Sequence, residues 1–264
     1  MVLSVIVVTK NEERVIGKCL RSIAWADERI VVDDYSTDRT VKIAEKYGAR
    51  VIQRRLDTVG KQKQFALSKA KGDWILQLDA DESIPPDLRK EIEEVLAYPH
   101  YDAYNFYFHQ YFLGEPLVPS LHGGHPRLFR RGHGRFSEAA FHVGPFVDVP
   151  VGQMNTPIVH LSHQSISQLI HKFNKYTDAD ARALYDAGFR TNWFRIIVAP
   201  IYTFFYRQWK EKDFLSGVRG LVLSCLFSLH TLMKWLKVWE IEYRQRRLKV
   251  QGVMKCTHRY DDRI

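Results

Sequence analysis

The sequence predicts an α/β fold with a doubly wound, mostly parallel sheet, and three observations support that prediction. Short apolar runs alternate with amphipathic helical segments over the first hundred residues, which is the pattern of consecutive βαβ units. Two of the runs end in carboxylates, Asp33 in VVDD and Asp79 with Asp81 in LQLDAD. Open α/β sheets bind ligands at the carboxyl ends of their strands, so we expect these side chains to line one crevice.

The first hundred residues supply the predicted sheet in regular alternation. Apolar runs predict strands at residues 3–8, 30–32, 50–53 and 74–78. Amphipathic segments predict helices at residues 12–24, 37–47, 61–69 and 86–96. Ser36 or Thr37 is expected to cap the second helix, Gly48 ends it, and Pro86 stands in the first turn of the fourth, all common positions for these residue types.

The pattern changes after residue 100. Strands are predicted in the aromatic run 101–111 and at residues 127–130 and 158–161, and irregular structure is predicted over residues 136–152. Gly114, Pro116 and Pro119 predict a loop over residues 113–124, because both residue types interrupt regular structure. The chain is expected to be helical from residue 167. We therefore expect three parts, residues 1–100, 101–188 and 189–264.

The composition is that of a globular protein in a reducing compartment. Of the 264 residues, 45% are hydrophobic and 26% are charged, which excludes a disordered chain. The three cysteines, Cys19, Cys225 and Cys256, show no CxxC spacing, which argues against a disulfide framework or a zinc site. Residues 2–8 enter a strand without a preceding basic segment or cleavage site, so no secretory signal is expected.

The net charge of +9 is concentrated at the C-terminal end. Residues 1–188 hold 24 basic and 24 acidic side chains, whereas residues 189–264 hold 15 basic and 6 acidic ones. A basic, aromatic-rich tail on a neutral domain predicts an anionic membrane surface as partner. A nucleic-acid partner is not expected, because the apolar helices of this tail do not resemble an element that reads a groove.

Two segments of the tail are strongly apolar. The first, residues 193–206, includes a run of eleven uncharged residues, too short for a bilayer core that needs about 20. The second, residues 214–239, is long enough but contains Arg219, Lys234 and Lys237, and a charge near the middle of a bilayer costs a few kcal/mol. We therefore expect interfacial helices that lie on the membrane; the alternative is a helical hairpin packed on the domain.

Each group of polar residues beyond a strand has a structural alternative. Thr9 and Asn11 can hydrogen-bond a base or ribose, or can cap a helix. Asp33 can accept a hydrogen bond from the N–H of a uracil-like base, or can belong to a helix start. Asp79 and Asp81, with Glu82 beside them, repel one another unless a cation or a hydrogen-bond donor compensates their charge. Oxygen ligands of this kind suit Mg²⁺ or Mn²⁺ beside a diphosphate.

Four segments in fixed order carry a resemblance to a known family. They read SVIVVTKNEE, VVDDYSTD, GKQKQFAL and GDWILQLDADE, and together they resemble glycosyltransferase family 2. The resemblance is closest to the lipopolysaccharide core branch of WaaE-like glycosyltransferases. It extends over nearly the whole chain, through PRLFRR, the region of His160, KFNKYTDADARALY and the apolar tail.

The resemblance implies a glycosyltransferase A-type fold, a nucleotide-sugar donor, usually a UDP-hexose, and a divalent cation, Mg²⁺ or Mn²⁺. Residues 1–100 would bind the nucleotide sugar and residues 101–188 the acceptor. The residues expected to contact base and ribose are Thr9, Asn11, Glu12, Asp33 and Asp79. Asp81 would ligate the metal. Lys61 and Lys63 would face the donor phosphates; their alternative is a solvated helix face.

The acceptor half departs from the family pattern at the expected general base. Related chains show a His-Glu pair after the RLF strand, whereas this chain reads Phe141-His142-Val143. Glu138 is therefore the first candidate for the base and His142 the second.

Two other features of this half invite a functional interpretation. The LHGGHP loop, with His122 and His125, lacks a third zinc ligand and is interpreted as an acceptor-binding loop. Arg127 and Arg130 can each hold an acceptor phosphate or the donor diphosphate, or can be ordinary charges at a strand edge.

The predicted function is that of an inverting glycosyltransferase that moves a hexose from a nucleotide-diphosphate sugar to a lipid-linked glycan such as the lipopolysaccharide core. It would work at the cytoplasmic face of the inner membrane as a peripheral or monotopic protein. The alternatives are transfer to polyprenyl phosphate and, because Val143 stands at the expected Glu position, a catalytically weak membrane-bound scaffold of the same fold.

Overall fold

A computed structural model describes residues 1–122, 124–137, 144–163 and 165–261, with side chains described except at 119–122, 162–163 and 248–261. The chain separates into two units, Met1–Gln164 and Ser165–Ile264. The predicted boundary after residue 188 lies one helix later than this division. The reason is that the helix Ile166–Asp186 packs against the C-terminal helix of the second unit.

The first unit is organised around a seven-stranded sheet. In chain order its strands are β1 (Leu3–Thr9), β2 (Glu28–Asp33), β3 (Arg50–Gln53), β4 (Trp74–Asp79), β6 (Ala103–Asn105), β9 (Pro126–Arg130) and β12 (Val151–Gln153). Their spatial order is β12-β6-β9-β4-β1-β2-β3. The β1, β2, β3 and β4 neighbours pair in parallel, whereas β9 is antiparallel to both β4 and β6. The predicted doubly wound, mostly parallel sheet is confirmed.

Helices cover both faces of this sheet. The cover is needed because successive apolar side chains of β1 point to opposite faces. The four helices are α1 (Ile16–Ser22), α2 (Thr40–Lys46), α3 (Val59–Lys69) and α4 (Pro86–Ala97). Val5 and Val7 of β1 pack with α1 and α4 in one buried cluster, and Ile6 packs with α3 in the other. Both faces of β1 are therefore buried, which explains its unbroken apolar sequence.

The first two helices begin later than the sequence predicts. The chain between β1 and α1 is turn structure, in which Asn11 adopts a positive φ of 55°. The Asp38 carboxylate accepts from the backbone N–H and the hydroxyl of Thr40 and so fixes the start of α2. Local side-chain hydrogen bonds of this kind compete with helical ones at a helix start.

A second sheet replaces the loop predicted at residues 113–124. Its strands are β5 (Glu82–Ser83), β7 (Phe108–Phe112), β8 (Glu115–His122) and β13 (Ile158–His163), in the order β5-β13-β7-β8. Leu113 and Gly114 both have positive φ and form the tight turn between β7 and β8. Pro116 is tolerated because β8 is an edge strand. The loop prediction was wrong because it rested on the Gly and Pro residues alone. The sequence does not show that these residues lie in an edge strand and in the turn before it.

Two further segments also differ from the sequence expectations. The aromatic run 101–111 divides into β6 and β7, which belong to different sheets. The segment 136–152, expected to be irregular, contains the short strand β11 (Phe146–Val147), which pairs with β10 (Gly134–Arg135), and ends in β12. These strands are only two or three residues long, so they show no period in the sequence.

The second unit is helical, as predicted. It contains α5 (Ile166–Asp186), a π-helical turn (Phe194–Val198), α6 (Ala199–Trp209), a 3₁₀ turn (Asp213–Ser216) and α7 (Val218–Asp261). Helix α7 packs against both α5 and α6. In the described part of the chain, one helical segment, Val218–Arg247 of α7, is long and apolar enough to cross a membrane by length and composition alone.

Candidate active site

Three predicted site residues meet at the carboxyl edge of the larger sheet. Thr9 at the end of β1 is the register partner of Asp33 in β2, and Val8 is the partner of Asp79 in β4. Neighbouring strands lie about 4.8 Å apart, so the three side chains share one short edge. The predicted juxtaposition of these residues at one sheet edge is confirmed, and their role in a ligand-binding crevice stays a prediction.

The loops after β1 and β2 are tied together by Asn11 and Asp33. The Asn11 side chain accepts from the N–H of Thr37 at 2.8 Å, and its backbone N–H donates to the Ser36 hydroxyl at 2.8 Å. The fully buried Asp33 carboxylate accepts from both the N–H and the hydroxyl of Ser36. Both side chains thus stabilise the two loops without capping α1 or α2, and their contact with a base stays a prediction.

Thr9 ends β1, and Glu12 lies on the loop that follows it. The Thr9 hydroxyl is buried and has no hydrogen-bond partner among the described residues. Buried polar atoms without a partner are rare and call for a ligand or water, which is compatible with the predicted contact of Thr9 with the ribose or base; that contact stays a prediction. The backbone N–H of Glu12 donates to the Thr40 hydroxyl at 2.8 Å, and the predicted role of its carboxylate is not tested by this contact.

Asp79 is held by two cations. The Lys63 ammonium lies 2.8 Å from one carboxylate oxygen, and the Arg127 guanidinium lies 3.4 Å from the other. Burial alone would raise the pKa of Asp79, but the charges of Lys63 and Arg127 lower it below its ordinary value. The carboxylate therefore stays ionised and fixed in orientation.

Arg127 and Glu82 form an ion pair directly behind Asp79. The guanidinium donates to Glu82 at 2.8 Å and also to the side-chain oxygen of Gln77, and it lies on the ring of Phe108. The other Glu82 oxygen accepts from the backbone N–H of Asp79 at 2.8 Å. Glu82 is 1% exposed; burial raises its pKa to about 7 against the opposing charge of Arg127, and the charge of Asp79 adds to the rise. The predicted phosphate contact of Arg127 stays a prediction, but its guanidinium is already engaged by three side chains.

Asp81 faces His160, a residue the sequence analysis did not single out as a site residue. Their carboxylate oxygen and Nε2 lie 3.4 Å apart. Strand β13 causes this approach, because His160 is the register partner of Glu82 and the N–H of Leu161 donates to the Asp81 carbonyl at 2.9 Å. Burial alone would lower the pKa of His160, but its hydrogen bond to Asp81 and the neighbouring carboxylates raise it.

Asp81 and His160 fit a divalent cation only in part. The described residues contain no group of three or more His, Cys, Asp or Glu side chains arranged to hold a metal. One carboxylate oxygen and one imidazole nitrogen are nevertheless compatible with a cation that takes its other ligands from a diphosphate and water, as Mg²⁺ commonly does. The metal therefore stays a prediction, with His160 added to Asp81 as a candidate ligand.

The two predicted lysines differ in position. Lys63 is buried against Asp79, which rules out its alternative as a solvated side chain. Lys61 lies in the first turn of α3, where its backbone N–H donates to the N-capping hydroxyl of Thr58, and its phosphate contact stays a prediction.

Arg130 is not brought to the carboxylates. It pairs with Asp102 at 2.6 Å and is the register partner of Trp74 at the opposite end of β4. Five residues of strand, about 16 Å, separate that position from Asp79. The candidate bases Glu138 and His142, and Val143, lie outside the described residues.

The sequence pattern described as Glycosyl transferase family 2 matches residues 4–146, more than half of the chain. The chain belongs to this family. The matched segment includes β1, β2 and β4 with their terminal carboxylates. The family resemblance of the sequence, the glycosyltransferase A-type fold and the assignment as a glycosyltransferase are thereby confirmed.

Two relatives match this chain over most of their own length. An uncharacterized glycosyltransferase of Rickettsia bellii is 31% identical over 96% of this chain and 93% of its own. The lipopolysaccharide core biosynthesis glycosyltransferase LpsC of Rhizobium meliloti is 26% identical over 90% of this chain and 92% of its own. Among solved structures, residues 1–349 of TarS from S. aureus in complex with UDP are 22% identical and superpose with a TM-score of 0.47, covering 93% of this chain and 92% of that one.

Replacing Arg127 should destabilise this glycosyltransferase strongly. Arg127→Met leaves the buried Glu82 carboxylate without its ionic partner, and breaking a buried pair in this way costs about 3–5 kcal/mol. Urea unfolding measures the change. Arg130→Met is the matched control, because its pair with Asp102 is part-exposed and should cost less than about 1 kcal/mol. Equal losses for the two variants would contradict the assigned role of the buried pair.

Proposed function

We propose that the protein is an inverting glycosyltransferase that moves a hexose from a nucleotide-diphosphate sugar, with UDP as the expected nucleotide, to a lipid-linked glycan. The observation that carries the proposal is the juxtaposition of Asp81 with His160 beside an Asp79 carboxylate fixed by Lys63 and Arg127. The name of the LpsC relative, which refers to lipopolysaccharide core biosynthesis, supports a core glycan as acceptor.

The charges at the sheet edge suit an anionic donor. Asp79 is oriented by Lys63 and Arg127 and can accept hydrogen bonds from a ribose, while the orphaned Thr9 hydroxyl can donate or accept beside it. Asp81 and His160 would hold Mg²⁺ or Mn²⁺, which supplies Lewis-acid stabilisation of charge on the leaving diphosphate. The ammonium of Lys63 adds a fixed positive charge at the same edge.

The acceptor half needs a base that removes the proton of the attacking hydroxyl. Glu138 remains the first candidate and His142 the second. Attack on the anomeric carbon is a single displacement, so no covalent nucleophile is needed, and the role of the protein is to orient the two substrates. Two hypotheses compete with this proposal: transfer to polyprenyl phosphate, and a catalytically weak scaffold. The experiments below distinguish them.

We place the protein at the cytoplasmic face of the inner membrane, as a peripheral or monotopic enzyme. The apolar helix α7 and the concentration of the net positive charge in residues 189–264 support this location.

Removing the Asp81 carboxylate should abolish most donor turnover. Asp81→Asn is expected to lower metal-dependent release of UDP from a UDP-hexose by about 100-fold or more, since metal stabilisation of the leaving group is worth several kcal/mol. Release is measured with Mn²⁺ or Mg²⁺, with lipopolysaccharide core or polyprenyl phosphate as acceptor. Asp102→Asn, at the other end of the sheet, is the control. If the unmodified protein turns over no donor, the enzyme hypothesis is rejected in favour of the scaffold hypothesis.

His160 should affect cation binding itself. His160→Gln is expected to weaken Mn²⁺ binding in the presence of UDP by about 10-fold or more, measured by titration calorimetry without turnover. His133→Gln is the matched control, because His133 is part-exposed and pairs with Asp148 away from the carboxylates. Equal affinities for the His160 variant and the unmodified protein would remove His160 from the cation site.

The base is tested by Glu138→Gln and His142→Gln. Loss of the general base is expected to lower turnover by about 10²–10⁴-fold, while UDP binding measured by calorimetry stays unchanged, because neither residue is assigned to the donor site. Unchanged turnover in Glu138→Gln together with a loss in His142→Gln would make His142 the first candidate for the base. Unchanged turnover in both would eliminate both.

A further inference from the structure

The helix α6 carries an exposed apolar stripe along one face. Its side chains recur every three or four residues from the preceding π-helical turn to the end of the helix: Phe194, Ile197, Ile201, Phe205 and Trp209, with Tyr202 and Tyr206 beside them. Trp209 is 66% exposed and Tyr202 is 65% exposed. Exposed apolar patches of this size in a folded protein mark an interaction surface.

The opposite face of α6 is already used for packing on α7. The Ser228 hydroxyl donates to the Pro200 carbonyl at 2.8 Å, and the hydroxyls of Thr203 and Thr231 lie 3.1 Å apart. These α6 residues lie on the side of the helix away from the stripe. The stripe is therefore not the seam between the two helices, and a different partner must cover it.

The turn between α6 and α7 buries its own charges. Arg207 pairs with Asp213 at 2.8 Å, and Asp213 also accepts from the Ser224 hydroxyl at 2.8 Å. Gly220 makes this close approach possible, because a Cβ there would lie 1.7 Å from the Asp213 carbonyl oxygen. With that pair turned inward, three apolar side chains are exposed at the turn: Phe214, Leu215 and Val218.

The charges that remain outside are mostly basic. Between residues 189 and 220 the sequence holds six basic and two acidic residues; because Arg207 and Asp213 pair with each other, five basic and one acidic residue remain. Lys210 and Lys212 are exposed beside Trp209. Aromatic rings at the level of the headgroups and basic side chains beside them are the chemistry that recognises an anionic bilayer surface.

The middle of α7 is attached to a polar helix. Phe173 of α5 packs on Phe227 and on His230, with ring centroids 5.2 and 4.7 Å apart, and Lys237 pairs with Asp178 at 2.7 Å. The same helix α5 exposes further charges, among them Lys175, Arg182 and Asp186. If α7 crossed the hydrocarbon, these charges would enter it too, at about 2.5–3.5 kcal/mol each on insertion scales. Its length and apolarity therefore do not make it a span.

We propose that this stripe of α6, with the turn before α7, lies flat in the headgroup region of an anionic phospholipid bilayer, and that no helix of the second unit crosses the membrane. This proposal adds to the proposed function the surface that brings the enzyme to a lipid-linked acceptor. Only the identity of the acceptor rests on the proposed function. Insertion is shallow, about 5–10 Å into the boundary of the acyl chains.

Binding of the full chain to vesicles tests the surface without donor or acceptor. Phosphatidylcholine vesicles with and without phosphatidylglycerol are sedimented with the unmodified protein, with Phe205→Ser/Trp209→Ser, and with Tyr98→Ser/Tyr101→Ser as a matched control of exposed aromatic residues in the first unit. The stripe variant should lose about tenfold or more in affinity, because both aromatic rings are removed from the apolar boundary of the bilayer, and the control should bind as the unmodified protein does. Circular dichroism verifies that each variant is folded.

The basic side chains are tested separately. Lys210→Gln/Lys212→Gln should weaken binding to the anionic vesicles only and reduce its dependence on salt. Equal binding of the stripe variant and the unmodified protein overturns the proposal. So does light scattering that shows an oligomer in the absence of lipid which the stripe variant dissociates, because a second copy of the chain would then be the partner.

The absence of a crossing helix has its own readout. In a Cys225→Ser/Cys256→Ser background, Glu211→Cys and Arg246→Cys place one thiol before the start of α7 and one near the end of its apolar segment Val218–Arg247, which is itself about 45 Å long. With protein bound to the outside of vesicles, a membrane-impermeant maleimide should label both thiols. Protection of one of them until the vesicles are lysed overturns the flat arrangement. Failure of the UDP-release assay leaves these results unaffected, so the two proposals fail independently.

Discussion

Arg127 and Glu82 form an ion pair 2.8 Å apart behind the carboxylate of Asp79. Arg127 comes from β9, the antiparallel strand inserted beside β4, and Glu82 from β5, the first strand of the second sheet. The pair therefore joins both sheets at the point where the site is built. Because a buried charge is costly without its partner, the pair fixes the position of these strands relative to one another, and with them the orientation of Asp79.

The second sheet gives the site a residue that the larger sheet cannot supply. Its strand β13 returns about eighty residues after the Asp-x-Asp motif and places His160 at 3.4 Å from Asp81. The larger sheet provides Asp79 and Arg127, helix α3 provides Lys63, and the second sheet provides the imidazole. The cluster thus mixes charges of both signs in a buried environment, where their mutual attraction is stronger than in water.

The helical unit uses a buried ion pair for a different purpose. Arg207 and Asp213 pair with each other at the turn between α6 and α7 and are both largely buried. Where Glu82 and Arg127 orient a polar site, this pair removes charge from a surface. A buried ion pair thus orients a carboxylate in the first unit and holds two charges away from the surface in the second.

The sequence by itself determined three things: the alternation of strands and helices over the first hundred residues, the carboxylates at the strand ends, and the family. Each of these depends on local periodicity or on contiguous motifs. It did not determine β8, β11 or β12, whose residues become strands only beside a partner. It gave Lys61 and Lys63 equal weight, although only Lys63 is buried against Asp79. The place of His160 was also decided by the tertiary structure, because strand pairing between residues far apart in the chain leaves no local pattern in the sequence.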